Sequence, residues 1–177
     1  MSDLCSPILS RTDLADKVAR GRAAGMTIVI ANGCFDLFHV GHVRYLIGAK
    51  ALGDILVVAI NSDRQIRSLK GAGRPFMPEN ERAEMIASIR CVDLVTVFDE
   101  PTVEELLRGI KPDFHAKGTD YTTDTVPEGE IVRQYGGTVA IVGDPKDHSS
   151  TSLIEMVKAD DETRRHNDVE KILKAQS

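Results

Sequence analysis

The chain has 177 residues, 42% of them hydrophobic, with 22 Lys and Arg against 27 Asp and Glu and a net charge of −5. That length fills one well-buried domain and falls short of two ordinary ones, while the acidic balance and the absence of Trp argue against a nucleic-acid surface or a base-stacking platform. Three cysteines without a CxxC pair indicate neither a disulfide framework nor a zinc ribbon and fit a reduced cytoplasm, and no apolar run or signal-like N-terminus points to a membrane.

Ser10 or Thr12 caps a predicted helix through Ala23, with Leu14 and Val18 on one face and Gly25 placed to end it, so residues 1–25 read as an N-terminal helical extension. The apolar run 26–30 predicts the first strand. The turn Ala31-Asn32-Gly33-Cys34-Phe35-Asp36-Leu37-Phe38-His39-Val40-Gly41-His42 follows, and an amphipathic helix is expected over 43–52 before Gly53. A turn from strand to helix is where an open α/β sheet places its ligand.

His39 and His42 are three residues apart near that helix start, where unpaired amides and the helix dipole favour an anion. Gly41 between them leaves the backbone open to a phosphate. Imidazole can also donate hydrogen bonds to oxygens that gain charge during phosphoryl chemistry. On spacing alone two other uses stay open: a histidine as a helix cap, or the pair as metal ligands joined by others from elsewhere. Cys34 lies close enough to suggest a nucleophile, but a small packing residue is the favoured reading.

Ile55-Leu56-Val57-Val58-Ala59-Ile60 reads as a strand buried on both sides, closed by Asn61-Ser62-Asp63 and a short helix to Leu69. The loop Lys70-Gly71-Ala72-Gly73-Arg74-Pro75 is not a dinucleotide fingerprint: a third glycine is missing, and the loop does not open a helix after a strand. It is either an arm carrying Lys70 and Arg74 over phosphates or an ordinary solvated loop. A helix is predicted over 79–90, with Arg82 on its polar side and Met85, Ile86 and Ile89 on its apolar side. A strand over 93–98, a helix over 102–110 and a short strand over 112–116 lead to Lys117-Gly118-Thr119-Asp120-Tyr121.

A helix over 127–135, ended by Gly136-Gly137, precedes a fifth strand over 138–142. The run Ser149-Ser150-Thr151-Ser152 then opens another helix, its hydroxyls serving as caps or meeting an oxygen-rich partner. Residues 159–177 are charged and weakly amphipathic, a terminal helix or tail. The alternation gives an α/β fold: a Rossmann-like, doubly wound, parallel five-stranded sheet with helices on both faces.

Asn32-Gly33-Cys34-Phe35-Asp36 running into His39-Val40-Gly41-His42, with Ser149-Ser150-Thr151-Ser152 far downstream, resembles the cytidylyltransferase-like nucleotidyltransferases. The resemblance spans roughly 26–157, so 26–158 is the expected nucleotidyltransferase domain. Leu69-Lys70-Gly71 with Arg74-Pro75, and Lys117-Gly118-Thr119-Asp120-Tyr121, look most like the adenylyltransferases that activate D-glycero-D-manno-heptose 1-phosphate for lipopolysaccharide biosynthesis. With no sugar-kinase domain in the sequence, the free-standing form is expected. The rival is glycerol-3-phosphate cytidylyltransferase, which uses CTP. Its distal motif starts Arg-Thr-x-Gly where this chain has Asp144-Pro145-Lys146-Asp147, and that departure counts against it. A non-catalytic nucleotide-binding module is a third reading, opposed by intact His39, His42 and Lys70.

The resemblance implies in-line attack of a sugar 1-phosphate oxygen on the α-phosphorus of ATP, with pyrophosphate leaving and no covalent enzyme intermediate. It makes His39, His42 and Lys70 catalytic. Asn32, Gly33, Phe35 and Gly41 would line the nucleotide floor, Gly118 and Asp120 would border the nucleoside, and Ser149, Ser150 and Thr151 would meet the β and γ phosphates. Asp36, Asp63, Arg74 and Lys117 fall to the acceptor, Asp36 holding a sugar hydroxyl or the metal side of the site. Mg²⁺ is expected on the triphosphate rather than in a protein cage. A cytoplasmic homodimer that meets neither nucleic acid nor membrane completes the expectation.

Overall fold

The computed structural model describes residues 5–144 and Ile154. The hydroxyl run of Ser149, Ser150 and Thr151 and the charged segment 159–177 lie outside the described residues. In chain order the elements are α1 (Arg11–Ala23), β1 (Ile28–Gly33), α2 (Val40–Lys50), β2 (Ile55–Asn61), α3 (Asp63–Lys70), α4 (Glu79–Ala87), β3 (Leu94–Phe98), α5 (Glu104–Ile110), β4 (Phe114–Lys117), α6 (Gly129–Gln134) and β5 (Thr138–Ile141). All strand pairs are parallel, in the order β3-β2-β1-β4-β5.

The strand residues are apolar on both sides because both faces are covered. Ile28 and Ile30 of β1 face one core with Leu14 and Val18 of α1, Leu106 and Leu107 of α5 and Val132 of α6. Val29 and Ala31 face the other, with Leu46 and Ala49 of α2 and Ala83 and Ile86 of α4. The expected doubly wound sheet is thus the observed one. Ser10 caps α1, its hydroxyl accepting from Asp13 N at 3.2 Å. Ahead of it, the chain lies along the outer edge of β3: Ile8 pairs in parallel with Val95, Leu9 N donates to Val95 O at 2.8 Å, and Val95 N donates to Pro7 O at 3.0 Å.

Of the boundaries that differ from expectation, those of β1 and α2 move polar residues toward the ligand end of the sheet. β1 starts two residues late, since Met26 is exposed, and runs on through Asn32 and Gly33, which keep register with Ala59 and Ile60. Helix α2 starts at Val40 rather than at residue 43, so His39 becomes its N-cap and His42 its third residue. The strand order reverses between β1 and β4, and a doubly wound sheet holds its ligand in the crevice outside the strand ends at such a point.

Candidate active site

The turn after β1 is shaped by Phe35, whose φ of 49° is left-handed although the residue is not glycine. Such a conformation costs about 1–3 kcal/mol and persists where the surroundings enforce it. Its ring is buried, and a Cβ on Gly33 would sit 3.2 Å from that ring, so only glycine leaves it ordinary contact distance. Asp36, next in the chain, is also buried. Its Oδ1 accepts from the backbone N of Phe76 (2.6 Å) and Met77 (3.2 Å), and its Oδ2 from Arg74 Nε (2.5 Å).

This changes the reading of two residues. Asp36 was expected on a sugar hydroxyl or the metal side, but both its oxygens are taken by the chain's own donors. Arg74 was expected over the acceptor, but it pairs with Asp36 and lies 4.5 Å from the Phe76 ring centroid. Together they fasten the arm 70–77 to the histidine turn. The arm's other cation, Lys70, ends α3 and is exposed.

His42 is held on several sides. Its Nδ1 accepts from the backbone N of His39 at 3.3 Å, so the proton of a neutral ring resides on Nε2. The His39 ring lies 3.9 Å away between centroids, Phe38 stacks at 5.5 Å and 13°, and Phe35 meets it at 5.2 Å. Burial, then His39, then the Lys70 charge push the His42 pKa down to about 4. At neutral pH the ring is therefore an oriented donor without net charge, with Lys70 near enough to act on it. Gly41 is the second residue of the helix, among its first-turn amides. Cys34 has its thiol pushed up, chiefly by burial, which favours the inert protonated form over a thiolate nucleophile.

Arg82 was read as part of the polar face of its helix, yet it has no exposed surface. Its Nη1 donates to Cys34 O (2.7 Å) and Asn61 O (2.9 Å), its Nη2 to Asp63 Oδ1 (2.7 Å), and its Nε to Met77 O (3.0 Å). One guanidinium thus ties the histidine turn, the end of β2, the start of α3 and the arm's far end into one body. Asp63, expected to face the acceptor, is engaged by Arg82. The signal was available: Arg82 precedes Ile86 by four residues, which puts it on the buried stripe with Ala83 and Ala87.

At the end of β4, Lys117 is buried too, 3.2 Å from Glu128 Oε2 and 3.2 Å from Asn32 Oδ1. Buried His115, which the sequence did not single out, approaches the same Asn32 oxygen at 3.0 Å. Gly118 has open space where a Cβ would stand, and Asp120 is exposed. Tyr45 of α2 donates its hydroxyl to Ala116 O at 2.8 Å. Beyond β5, Asp144 pairs with Arg44 at 2.7 Å, and its carbonyl accepts from Thr119 Oγ1 at 2.7 Å. The chain is thereby delivered to the same end of the sheet as the histidines. Among the described residues, no group of three His, Cys, Asp or Glu side chains is placed to hold a metal ion.

A family model for cytidylyltransferase-like proteins matches residues 30–167. The chain belongs to the cytidylyltransferase-like family. The bifunctional protein HldE of Syntrophotalea carbinolica is 47% identical over 152 residues, covering 86% of this chain and 31% of that protein. HldE of Koribacter versatilis is 48% identical over 148 residues, covering 84% and 30%. This cytidylyltransferase-like chain therefore spans about a third of the length of the curated relatives it matches. Among solved structures, the lipopolysaccharide core biosynthesis protein from Thermoplasma volcanium is similar at 32% identity and a TM-score of 0.55, covering 66% of this chain and 94% of that one.

Buried His115 and half-buried His42 give this cytidylyltransferase-like domain a pH signature. His42 and His115 are pushed from the usual value of 6.5 down to about 4 and about 3, each mainly by burial. Between those values and 6.5 the unfolded chain binds more protons than the folded one, so stability rises with pH and is lost on acidification. The denaturant midpoint is expected to fall from pH 6.5 to pH 5, where most carboxylates are still ionised, and His115→Gln should flatten that slope. A midpoint independent of pH across this interval would contradict the neutral assignment.

Proposed function

We propose that the chain transfers AMP from ATP to a sugar 1-phosphate, D-glycero-D-manno-heptose 1-phosphate, giving the ADP-sugar and pyrophosphate. One observation carries the reading: His42 is fixed as a neutral Nε2–H donor at a helix N-terminus, within reach of the Lys70 charge that helps to lower its pKa. Support for the acceptor comes from the Lys70 and Lys117 motifs, from relatives named HldE, and from a structural neighbour described as a lipopolysaccharide core biosynthesis protein.

The acceptor oxygen is already ionised, so the site needs no general base. That oxygen forms a bond to the α-phosphorus while the bond to the bridging oxygen breaks, and pyrophosphate carries away the electron pair. Negative charge on the equatorial oxygens is met by His42 Nε2–H and by the open amides of α2. Lys70 covers the region where acceptor phosphate and α-phosphate meet. Mg²⁺ would accompany the triphosphate and neutralise phosphate charge when bound, and Asp36 and Asp63, committed to Arg74 and Arg82, are not offered to it. Ser149, Ser150 and Thr151 remain the proposed β and γ phosphate ligands.

The deciding assay is mass-spectrometric product detection with ATP and CTP, each against the heptose 1-phosphate, another sugar 1-phosphate and glycerol 3-phosphate. An ADP-sugar is expected. A CDP-polyol would make the chain a cytidylyltransferase, and nucleotide binding without turnover would make it a binding module. Lys70→Ala is expected to lower kcat/KM by about ten- to a hundredfold, the scale of one charge-assisted hydrogen bond, and to weaken acceptor binding. Unchanged kinetics for both substrates would remove Lys70 from the site. A homodimer in the cytoplasm belongs to the same proposal, with light scattering as the check on assembly. No helix among the described residues is long and apolar enough to cross a membrane.

A further inference from the structure

Asn32 is the last residue but one of β1, where the strand order reverses toward β4, and its Oδ1 meets His115 Nε2 at 3.0 Å and Lys117 Nζ at 3.2 Å. An ammonium has only donors, so the carboxamide oxygen must face Lys117 and the amide nitrogen must point away. With that oxygen accepting, His115 carries its proton on Nε2. Its Nδ1 is then a bare acceptor, buried without a partner. Leaving such an atom unsatisfied carries a desolvation penalty that a leucine in the same space would avoid. Lys117 is as costly to bury, and Glu128 at 3.2 Å and the Tyr121 ring at 5.1 Å hold its ammonium in place. Two buried donors directed at a single carboxamide oxygen do more than fill the core. They fix which way the NH₂ group points, and Asn32 Nδ2 meets no acceptor among the described residues.

We propose that His115 and Lys117 are positioning residues: they hold the carboxamide of Asn32, already expected on the nucleotide floor, so that its Nδ2 donates to a phosphate oxygen of ATP. Lys117 then acts through Asn32 rather than on the acceptor. Burial and the Lys117 charge keep His115 neutral across the working pH range. The inference rests on the reading of the chain as a nucleotidyltransferase.

The test is calorimetric titration of the full chain with ATP and Mg²⁺ and, separately, with the heptose 1-phosphate. Asn32→Asp keeps the oxygen for His115 and Lys117 but loses the donor, and is expected to raise the Kd for ATP at least tenfold while leaving acceptor affinity unchanged. His115→Leu is expected to weaken ATP binding about tenfold, and His115→Gln, whose amide can donate to Asn32, to restore most of it. The double variant Asn32→Asp with His115→Leu should bind no more weakly than Asn32→Asp alone, because both act on one contact. Wild-type ATP affinity in folded Asn32→Asp or His115→Leu, or a loss confined to the acceptor titration, would overturn the inference. If His115→Leu does not fold, Asn32→Asp decides. A wild-type protein that binds no nucleoside triphosphate would remove the proposed function and this inference with it.

Discussion

His42→Ala is expected to lower kcat by about two to three orders of magnitude while the KM for ATP changes little, the scale for losing one donor aimed at transition-state charge. The split follows from how the ring is held. Its Nδ1 is used internally and three aromatic neighbours restrict its rotation, so the Nε2 proton is presented to one place whether or not substrate is bound. A donor prealigned in this way contributes most where charge is greatest, which is the pentavalent phosphorus rather than the ground-state phosphate. Alanine removes the donor and leaves the helix start and its amides, so nucleotide binding should survive. A folded His42→Ala protein with wild-type kcat would end the assignment. A rise in KM at constant kcat would turn His42 into a binding residue.

Arg82→Met is expected to destabilise the fold by about 3–5 kcal/mol, the range for removing one partner of a buried ion pair and stranding the other. Four acceptors lose their donor: the carbonyls of Cys34, Asn61 and Met77 and the carboxylate of Asp63. For a chain of this size the Tm should drop by roughly 10 °C. Arg82→Lys separates geometry from charge. An ammonium keeps the positive charge but cannot reach four acceptors in a planar fork, so it should recover only a small part of the loss. Arg82→Lys with wild-type Tm would show that charge alone suffices and that the fork geometry is incidental.

These predictions mark where sequence reasoning stops. The βα alternation was legible because each strand carries apolar residues on both faces and each helix along one stripe, a local pattern that the doubly wound sheet then satisfies. The histidine turn was legible because the strand, Gly41 and the helix start lie within twelve residues of one another. The commitments of Asp36, Asp63, Arg74 and Lys117 were not. Each pairs with a residue brought close only by the finished fold, as Asp36 with Arg74 across 38 positions or Lys117 with Asn32 across 85. Composition and spacing identify such residues as polar, but not whether a ligand or the chain itself will satisfy them. Arg82 misled for a related reason, because a charged residue on a helix is usually solvated, and only its place in the buried stripe indicated otherwise.

The strip of chain at residues 7–9 has a practical consequence for anyone shortening this protein. Its backbone groups occupy the hydrogen-bonding rim of β3, which would otherwise offer a ready template to another molecule's strand. A truncation starting at Ser10 should still present the whole histidine turn, yet turn from a clear solution into a slowly growing suspension as concentration rises. The 177-residue chain should stay clear at the same concentration.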